Sequence, residues 1–283
     1  MKRTTRKEHA METVAICEKG FYLTPEGQRV QISKEIAHAK SGTRLYSPEI
    51  APDACENIQQ VETRMSVFNE TAFSAIRRLA GSGAHAGCLN FASAKNPGGG
   101  FLGGAEAQEE ALARASALYP CLLMAPEYYE RNRASRSCIY LDVAIFSPLV
   151  PFFRDDAGTL LEEPILASVI TAPAPNAGAV ARNEPENLAH VEPALMRRAR
   201  LVLEIARAHQ VRKLILGAWG CGVFRNDPGL VATVFAKLLQ SPVYFNNVFD
   251  EVVFAVFDKT PHQETYRAFE AVFSSNKKDD KYE

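Results

Sequence analysis

Several features that would define a function class at once are missing from this sequence. No apolar run is long enough to span a bilayer, and the basic N-terminus continues into mixed polar residues instead of a signal-peptide core. The net charge of -1 at pH 7 provides no overall attraction to nucleic acid or to an anionic membrane. We therefore expect a cytoplasmic protein without membrane contact, in which local donors hold any anionic ligand.

Metal-binding and disulfide patterns are missing as well. The six cysteines are scattered without a CxxC pair, and the six histidines show no HxxxH spacing. Several cysteines lie in apolar, strand-like runs such as AGCLNF, which is typical of reduced and buried thiols. The sequence predicts no zinc site, no disulfide framework and no cofactor.

The chain length of 283 residues, 47% of them hydrophobic, suits one sizeable domain with an appendage. The first part differs from the rest, because it contains a hairpin sequence (GFYLTPEGQRVQIS), a short helix near 34–40 and two closely spaced prolines. We predict an N-terminal extension (1–58) packed on a core domain (59–275), followed by a charged and frayed tail (276–283).

The core alternates short β-branched or aromatic runs with amphipathic segments. Six strands with helices between them imply a three-layer α/β/α sandwich. The predicted strands are 61–67, 87–91, 139–146, 165–171, 213–216 and 251–257, and the predicted helices are 72–80, 108–133 (interrupted near Pro120), 186–209, 228–239 and 262–274.

A glycine-rich loop follows the strand-like AGCLNF. It reads ASAKNPGGGFLGGAEAQEE and leads into a helix that we predict to begin near Glu106. Three successive glycines, Gly98, Gly99 and Gly100, let backbone amides approach a ligand without obstruction by a Cβ atom. The helix N-terminus behind them favours negative charge. The segment is therefore a candidate anion site.

Two acids, Glu109 and Glu110, follow Gln108 in the first turn of this helix. Taken alone, such a pair most often only complements the helix dipole. Beside a bound phosphate, however, like charge would raise the pKa of a carboxyl group, which suits a general acid near neutral pH. Both interpretations remain open from these residues alone.

A second glycine loop lies late in the chain, where the strand-like KLILG precedes residues 218–224 and a helix from Pro228. Its glycines fall as GxxGxG outside the first strand–helix unit, which does not match a dinucleotide-binding fingerprint, and it has no P-loop lysine. Two such loops could clamp one diphosphate between helix N-termini. Tight turns are an alternative interpretation of these glycines, and a core position is an alternative one for Phe224.

The first loop resembles the signature of a known family. Gly98-Gly99-Gly100, seven further residues and then Gln108-Glu109-Glu110 resemble the signature of poly(ADP-ribose) glycohydrolases, and NFASAKNPGGG resembles the bacterial branch, which is built on a macrodomain. The resemblance implies a macrodomain-like fold with a mixed sheet over about residues 59–257. It also implies hydrolysis of ribose–ribose O-glycosidic bonds to release ADP-ribose without a cofactor, with ADP-ribosylated proteins as substrates. We expect the protein to be a monomer.

The resemblance assigns roles to individual residues. Glu110 would protonate the leaving ribose oxygen and then activate water, Glu109 would bind a ribose hydroxyl, and Gln108 would order the turn. Asn96 would bind a hydroxyl of the distal ribose, on which Phe224 would pack. The other implied contacts are backbone amides, at Gly98, Gly99, Gly100, Gly220, Cys221, Gly222 and Val223.

Other functions are compatible with the same residues. One is a non-catalytic ADP-ribose reader, although a reader has no reason to keep an intact QEE. Another is a hydrolase of a mono-ADP-ribosyl bond on protein or nucleic acid. A NAD-dependent dehydrogenase is disfavoured by the glycine spacing. The fold alone cannot choose among them, nor between cleavage at chain ends and internal cleavage.

Overall fold

The computed structural model of the protein describes residues 1–52, 61–80 and 85–274. The predicted boundary between residues 58 and 59, Cys55 and the predicted tail 276–283 lie outside these ranges. The division into extension, core and tail therefore stays a prediction.

The described residues contain a two-stranded hairpin and one seven-stranded sheet. The hairpin is the one predicted from GFYLTPEGQRVQIS, and its turn is closed by the Thr24 N–H on Gln28 O (2.8 Å). The strands are β1 (Phe21–Leu23), β2 (Arg29–Gln31), β3 (Arg44–Tyr46), β4 (Arg64–Phe68), β5 (Ala86–Phe91), β6 (Ala144–Arg154), β7 (Leu160–Ala172), β8 (Lys213–Leu216) and β9 (Glu251–Ala255).

The large sheet is mixed, which confirms the predicted fold class. Its order is β3-β6-β7-β5-β8-β9-β4. Strands β7, β5, β8, β9 and β4 are parallel, whereas β6 is antiparallel to both β7 and β3. The strand β3 was not predicted, because three residues are too few to show an alternating pattern. Part of the predicted extension thus contributes an edge strand to this sheet.

Helices cover both faces of the sheet, as the predicted three-layer sandwich requires. Side chains alternate along each strand, so that Leu89 of β5 faces one layer and Cys88 faces the other. The helices are α1 (Arg3–Lys19), α2 (Ser33–Gly42), α3 (Ala72–Ala80), α4 (Gln108–Ala115), α5 (Leu118–Leu122), α6 (Pro126–Ser135), α7 (Ala177–Asn183), α8 (Val191–Ala208), α9 (Pro228–Leu239) and α10 (Glu264–Phe273).

The apolar side chains divide into two main clusters that sandwich the sheet. Helices α8, α9 and α10 contribute to the cluster on one face, and α2 to α6 contribute to the cluster on the other. In the described ranges, no helix is long and apolar enough to cross a membrane.

Several predicted elements need correction. The helix predicted over 186–209 is an α-helix only from Val191, because Pro185–His190 forms a 3-10 helix. The helix predicted over 108–133 is three helices, because Ser116 is extended and bridges to Phe152 and a second break precedes Pro126. The helix expected from Glu106 begins at Gln108. The strand predicted over 139–146 begins only at Ala144, since the carbonyls just before it bind an arginine of α8 instead of a neighbouring strand.

That arginine, Arg198, is fully buried. It donates to Ile139 O (2.5 Å), to Pro173 O (2.6 Å) and to the Asp142 carboxylate (2.9 Å). Buried charge is tolerated only when it is paired and hydrogen-bonded. Arg198 therefore joins two loops, one before β6 and one after β7, that border the same edge of the sheet.

A comparison of two arginines on the same carboxylate tests this role. Arg197 also binds Asp142 (2.6 Å), but 57% of its side chain is exposed. We expect Arg198→Ala to lower the free energy of unfolding by about 3–5 kcal/mol, since it leaves buried carbonyls unpaired. Arg197→Ala should cost only about 0–1 kcal/mol. Urea denaturation measures both values, and equal losses would contradict the structural role of Arg198.

Candidate active site

The two glycine loops lie side by side because they leave adjacent parallel strands at the same edge of the sheet. The first follows β5, and the second follows β8. Ligands of open α/β sheets bind at this carboxyl edge. At the end of β8, Gly217 packs closely against the neighbouring strands. A Cβ atom at this position would lie 2.4 Å from Ala255 O and 3.0 Å from Phe91 Cζ.

Gln108 fixes the first turn of α4 to the end of β5. Its Oε1 accepts the N–H of Phe91 (2.8 Å), and its Nε2 donates to Leu89 O (2.8 Å). The side-chain amide thus pairs with the strand edge as a neighbouring strand would. This contact fixes the positions of Glu109 and Glu110 relative to the end of β5.

Glu109 is buried beneath the first loop. Its Oε2 accepts the N–H of Ser93 (2.7 Å), and its Oε1 accepts Nδ2 of Asn90 (3.2 Å), which also donates to Thr171 Oγ1 (3.2 Å). Asn90 therefore donates to two side chains. Burial raises the pKa of Glu109 to about 8, despite the opposing effect of the Ser93 and Asn90 donors. At neutral pH this carboxyl group is mainly protonated.

Glu110 is half-buried and faces the glycine run. Its Oε1 accepts the N–H of Gly100 (2.9 Å). Gly99 has φ +59°, and a Cβ atom on it would lie 2.3 Å from Glu110 Oε1 and 3.1 Å from Glu109 Oε2. The loop backbone consequently lies directly against both carboxyl groups, which only glycine permits.

We expected the amides of the first loop to bind an anion, but they are bonded to groups of the protein itself. The Gly100 N–H faces Glu110, and the Gly98 N–H is among the donors that oppose the raised pKa of Glu109. The Gly99 N–H closes a turn on Asn96 O (3.0 Å). These amides therefore order the two carboxyl groups and the loop itself.

The second loop is built around a buried asparagine. Asn226 donates from Nδ2 to Pro175 O (2.9 Å) and to Gly220 O (3.1 Å). Gly220 has φ +73°, and a Cβ atom there would lie 2.4 Å from that Nδ2 and 2.5 Å from Ala174 Cβ. Asn226 was not identified from the sequence, because an asparagine in a loop gives no signal of a distant partner.

The amides after Gly220 are available to a ligand, with one exception. Within the described ranges the N–H groups of Gly222, Val223 and Phe224 have no hydrogen-bond partner. The Cys221 N–H instead donates to Ala218 O (3.1 Å). Val223 itself is 83% exposed.

Phe224 belongs to the second loop, and Asn96 belongs to the first. The half-buried ring of Phe224 contacts that of Tyr140 at a centroid distance of 5.9 Å, and its carbonyl accepts the N–H of Gly178 (3.0 Å). Tyr140 has φ +61°, a conformation rare for non-glycine residues that is frequent at functional sites. The Asn96 side chain is exposed and contacts no described residue by hydrogen bonds.

A cavity of about 770 Å³ opens at the same edge. Gln108, Cys221 and Gly222 line the end near the loops, and Thr71 and Asp258 line another part. The two glutamates do not line the cavity but adjoin it through Gln108. Among the described residues, no group of three or more histidines, cysteines or acids is placed to hold a metal ion.

The raised pKa of Glu109 predicts that folding stability changes with pH. The folded protein keeps a proton that the unfolded chain releases above the ordinary pKa of 4.5. This contribution is therefore complete below that pH and is lost as the pH rises towards 8. The neutral variant Glu109→Gln lacks this dependence.

Urea denaturation between about pH 5 and pH 8 measures the effect. As the pH rises, the unfolding free energy of Glu109→Gln should increase relative to that of the wild type by at most about 1.4 kcal/mol per pH unit. Glu127→Gln, at an exposed position of α6, should show no such gain. A pH-independent difference between Glu109→Gln and the wild type would mean that the Glu109 pKa is not raised.

Comparison with known proteins agrees with this geometry. Residues 10–155, which include the first loop and both glutamates, match the family model of the microbial-type PARG catalytic domain. No curated protein matches the chain.

Solved structures extend the similarity to almost the whole chain. The poly(ADP-ribose) glycohydrolase from Thermomonospora curvata is 46% identical, with 95% of this chain and 100% of that chain covered and a TM-score of 0.89. Its complex with the inhibitor ADP-HPD is 45% identical over 95% of this chain and 99% of that chain, with a TM-score of 0.87. The Deinococcus radiodurans enzyme in complex with ADP-ribose is 45% identical over 87% and 99%, with a TM-score of 0.79. The chain therefore belongs to the family of microbial-type poly(ADP-ribose) glycohydrolases.

Proposed function

We propose that this chain hydrolyses the ribose–ribose O-glycosidic bonds of poly(ADP-ribose), with Glu110 as both acid and base. The observation that carries the assignment is that the two adjacent carboxyl groups beneath Gly99 differ in their hydrogen bonding. Both oxygens of Glu109 already accept hydrogen bonds from the protein. Of the Glu110 oxygens only Oε1 does so within the described residues, which leaves Oε2 for the substrate.

The proposed reaction uses the free oxygen of Glu110. Protonated Glu110 gives its proton to the glycosidic oxygen as the bond to the distal anomeric carbon breaks, and the electron pair leaves with that oxygen. The ribosyl group that remains has oxocarbenium character. Water attacks it and gives its proton to the Glu110 carboxylate, which restores the acid and releases ADP-ribose. One carboxyl group thus serves twice, unlike the usual pair of a glycosidase.

Glu109 suits a binding role better than proton transfer. Its carboxyl group is buried and mainly protonated, so it adds little negative charge beside Glu110 and can bind a ribose hydroxyl. Free amides at Gly222 and Val223 support a place for the diphosphate at the second loop. Phe224 would pack on the distal ribose, and Asn96 would bind its hydroxyl. Action on ADP-ribosylated proteins, a cytoplasmic location and a monomeric state stay predictions.

Glu110→Gln tests the catalytic assignment. Loss of the acid and base should lower the rate of poly(ADP-ribose) hydrolysis by roughly 10²–10⁴-fold. The Kd for ADP-ribose, measured by calorimetry, should change by less than about threefold, since the amide keeps the shape of the side chain. Glu127→Gln is the matched control with wild-type turnover. Turnover by Glu110→Gln at the wild-type rate would refute the role of this residue.

The choice of substrate in the same assay separates the competing functions. Purified wild-type protein is given poly(ADP-ribose), mono-ADP-ribosylated protein and ADP-ribosylated DNA, and free ADP-ribose is quantified. We expect the polymer to be the substrate. Release only from one of the other two would assign a different bond, and ADP-ribose binding without any release would indicate a reader.

Gly99→Ala tests the close contact between the loop and the carboxyl groups. The added methyl group must displace Glu110 or the loop, and a displacement of about 1 Å in a catalytic group costs about 10²-fold in rate. We expect turnover of poly(ADP-ribose) to fall by about that factor. Gly103→Ala is the control, because nothing lies within 4 Å of a Cβ atom there. Similar rates for the two variants would contradict the contact.

A further inference from the structure

The segment that joins the glycine run to α4, residues 101–107, is held by arginine side chains. Three consecutive carbonyl oxygens of this segment each accept a hydrogen bond from a different arginine, and two of the three arginines belong to α1. The pairs are Arg3 Nε with Gly103 O (3.0 Å), Arg6 Nε with Gly104 O (2.9 Å) and Arg114 Nη1 with Ala105 O (2.7 Å).

The backbone of α1 lies directly on this segment. Gly104 has φ +74°, and a Cβ atom on it would lie 2.5 Å from Arg3 O and 3.3 Å from Lys7 N. Further along the helix, Thr13 Oγ1 donates to Arg114 O (2.6 Å). The helix therefore follows the segment into α4 and contacts both.

Apolar burial explains little of this docking. Of the 17 residues of α1, only Ala10, Thr13 and Ile16 are buried. Ala10 packs with Phe101 and Ala113 in a small cluster, separate from the main ones. A helix with such a small apolar face would cover a core poorly. Its contacts are instead directed at the backbone that carries the catalytic glutamates.

Arg6 makes the central contact. Besides the bond to Gly104 O, its Nη1 binds the Glu106 carboxylate (2.6 Å), and only 12% of its side chain is exposed. One planar guanidinium group thus fixes two points of the segment on either side of Ala105. Charge-assisted bonds of this kind are stronger and more directional than neutral ones.

We propose that α1 is a brace for the catalytic loop and that Arg6 is its positioning residue, which fixes the glycine run relative to Glu110. The proposal rests on the function proposed for Glu110. Arg6 would act through Gly104 and Glu106, without donating or accepting the reacting proton. Because Arg6 also lines the cavity, a direct substrate contact is the competing explanation.

Kinetics of Arg6 variants distinguish these explanations. Loss of the brace misaligns Glu110, so Arg6→Ala should lower kcat for poly(ADP-ribose) by about 10- to 100-fold. The Kd for ADP-ribose should change by less than about threefold, and added guanidinium ion should restore part of kcat. Arg6→Lys keeps the charge but not both hydrogen bonds, so its kcat should lie between those of the wild type and Arg6→Ala. Arg200→Ala, at an exposed arginine paired with Glu204, is the control.

Amide hydrogen exchange provides a readout that does not depend on enzyme activity. In Arg6→Ala, the amides of Gly103, Gly104 and Ala105 should exchange about tenfold faster, because the turn that they close is no longer held. Unchanged exchange together with wild-type kcat would overturn the proposal. A raised Kd with unchanged kcat would also overturn it and assign Arg6 to substrate binding. Faster exchange in a protein whose wild type cleaves no polymer would uphold the brace and refute the proposed function instead.

Discussion

The burial of one carboxyl group at the end of the central strand is the constraint on which the site depends. Removing Glu109 from water is costly, so its oxygens need donors that the structure holds in place. Those donors are the Ser93 N–H and the Asn90 amide, both supplied by β5 or by the loop that leaves it. Helix α4 must therefore lie close against the strand end, where Gln108 adds its own bonds. Only then does Glu110 come under the glycine run.

In the proposed complex, backbone N–H groups would hold the strongly anionic substrate in place of cationic side chains, which would suit a near-neutral chain. The second loop presents unpaired amides ahead of α9, while the amides of the first loop order the acids. The arginines nearest the first loop are directed at carbonyl oxygens and carboxylates of the protein itself. Rigid placement of the loops, rather than net charge, would thus determine affinity and catalysis.

Much of this architecture could be predicted from local patterns. Helices α3 and α9 were predicted with their observed bounds, and β5 and β8 were predicted to within a residue. Apolar residues recur at helical spacing in the two helices and form short continuous runs in the two strands. The first glycine loop was found because three glycines in succession are unusual for a simple turn. The second was found because its glycines lie between a strand-like run and a helix start. Helix α1 and strand β3 were missed, since one is mostly polar and the other is three residues long.

By itself the sequence determined the layered α/β class, the two loops and the residue types of the acid pair, because strand alternation, glycine conformational freedom and helix starts are local properties of the chain. The tertiary structure decided which acid is buried, which amides remain free and which distant residues hold the loops. Glu109 differs from Glu110 only through its neighbours from β5, and Arg6 reaches Gly104 across 98 positions of sequence. Burial and long-range hydrogen bonds arise only when the chain has folded, so no local pattern encodes them.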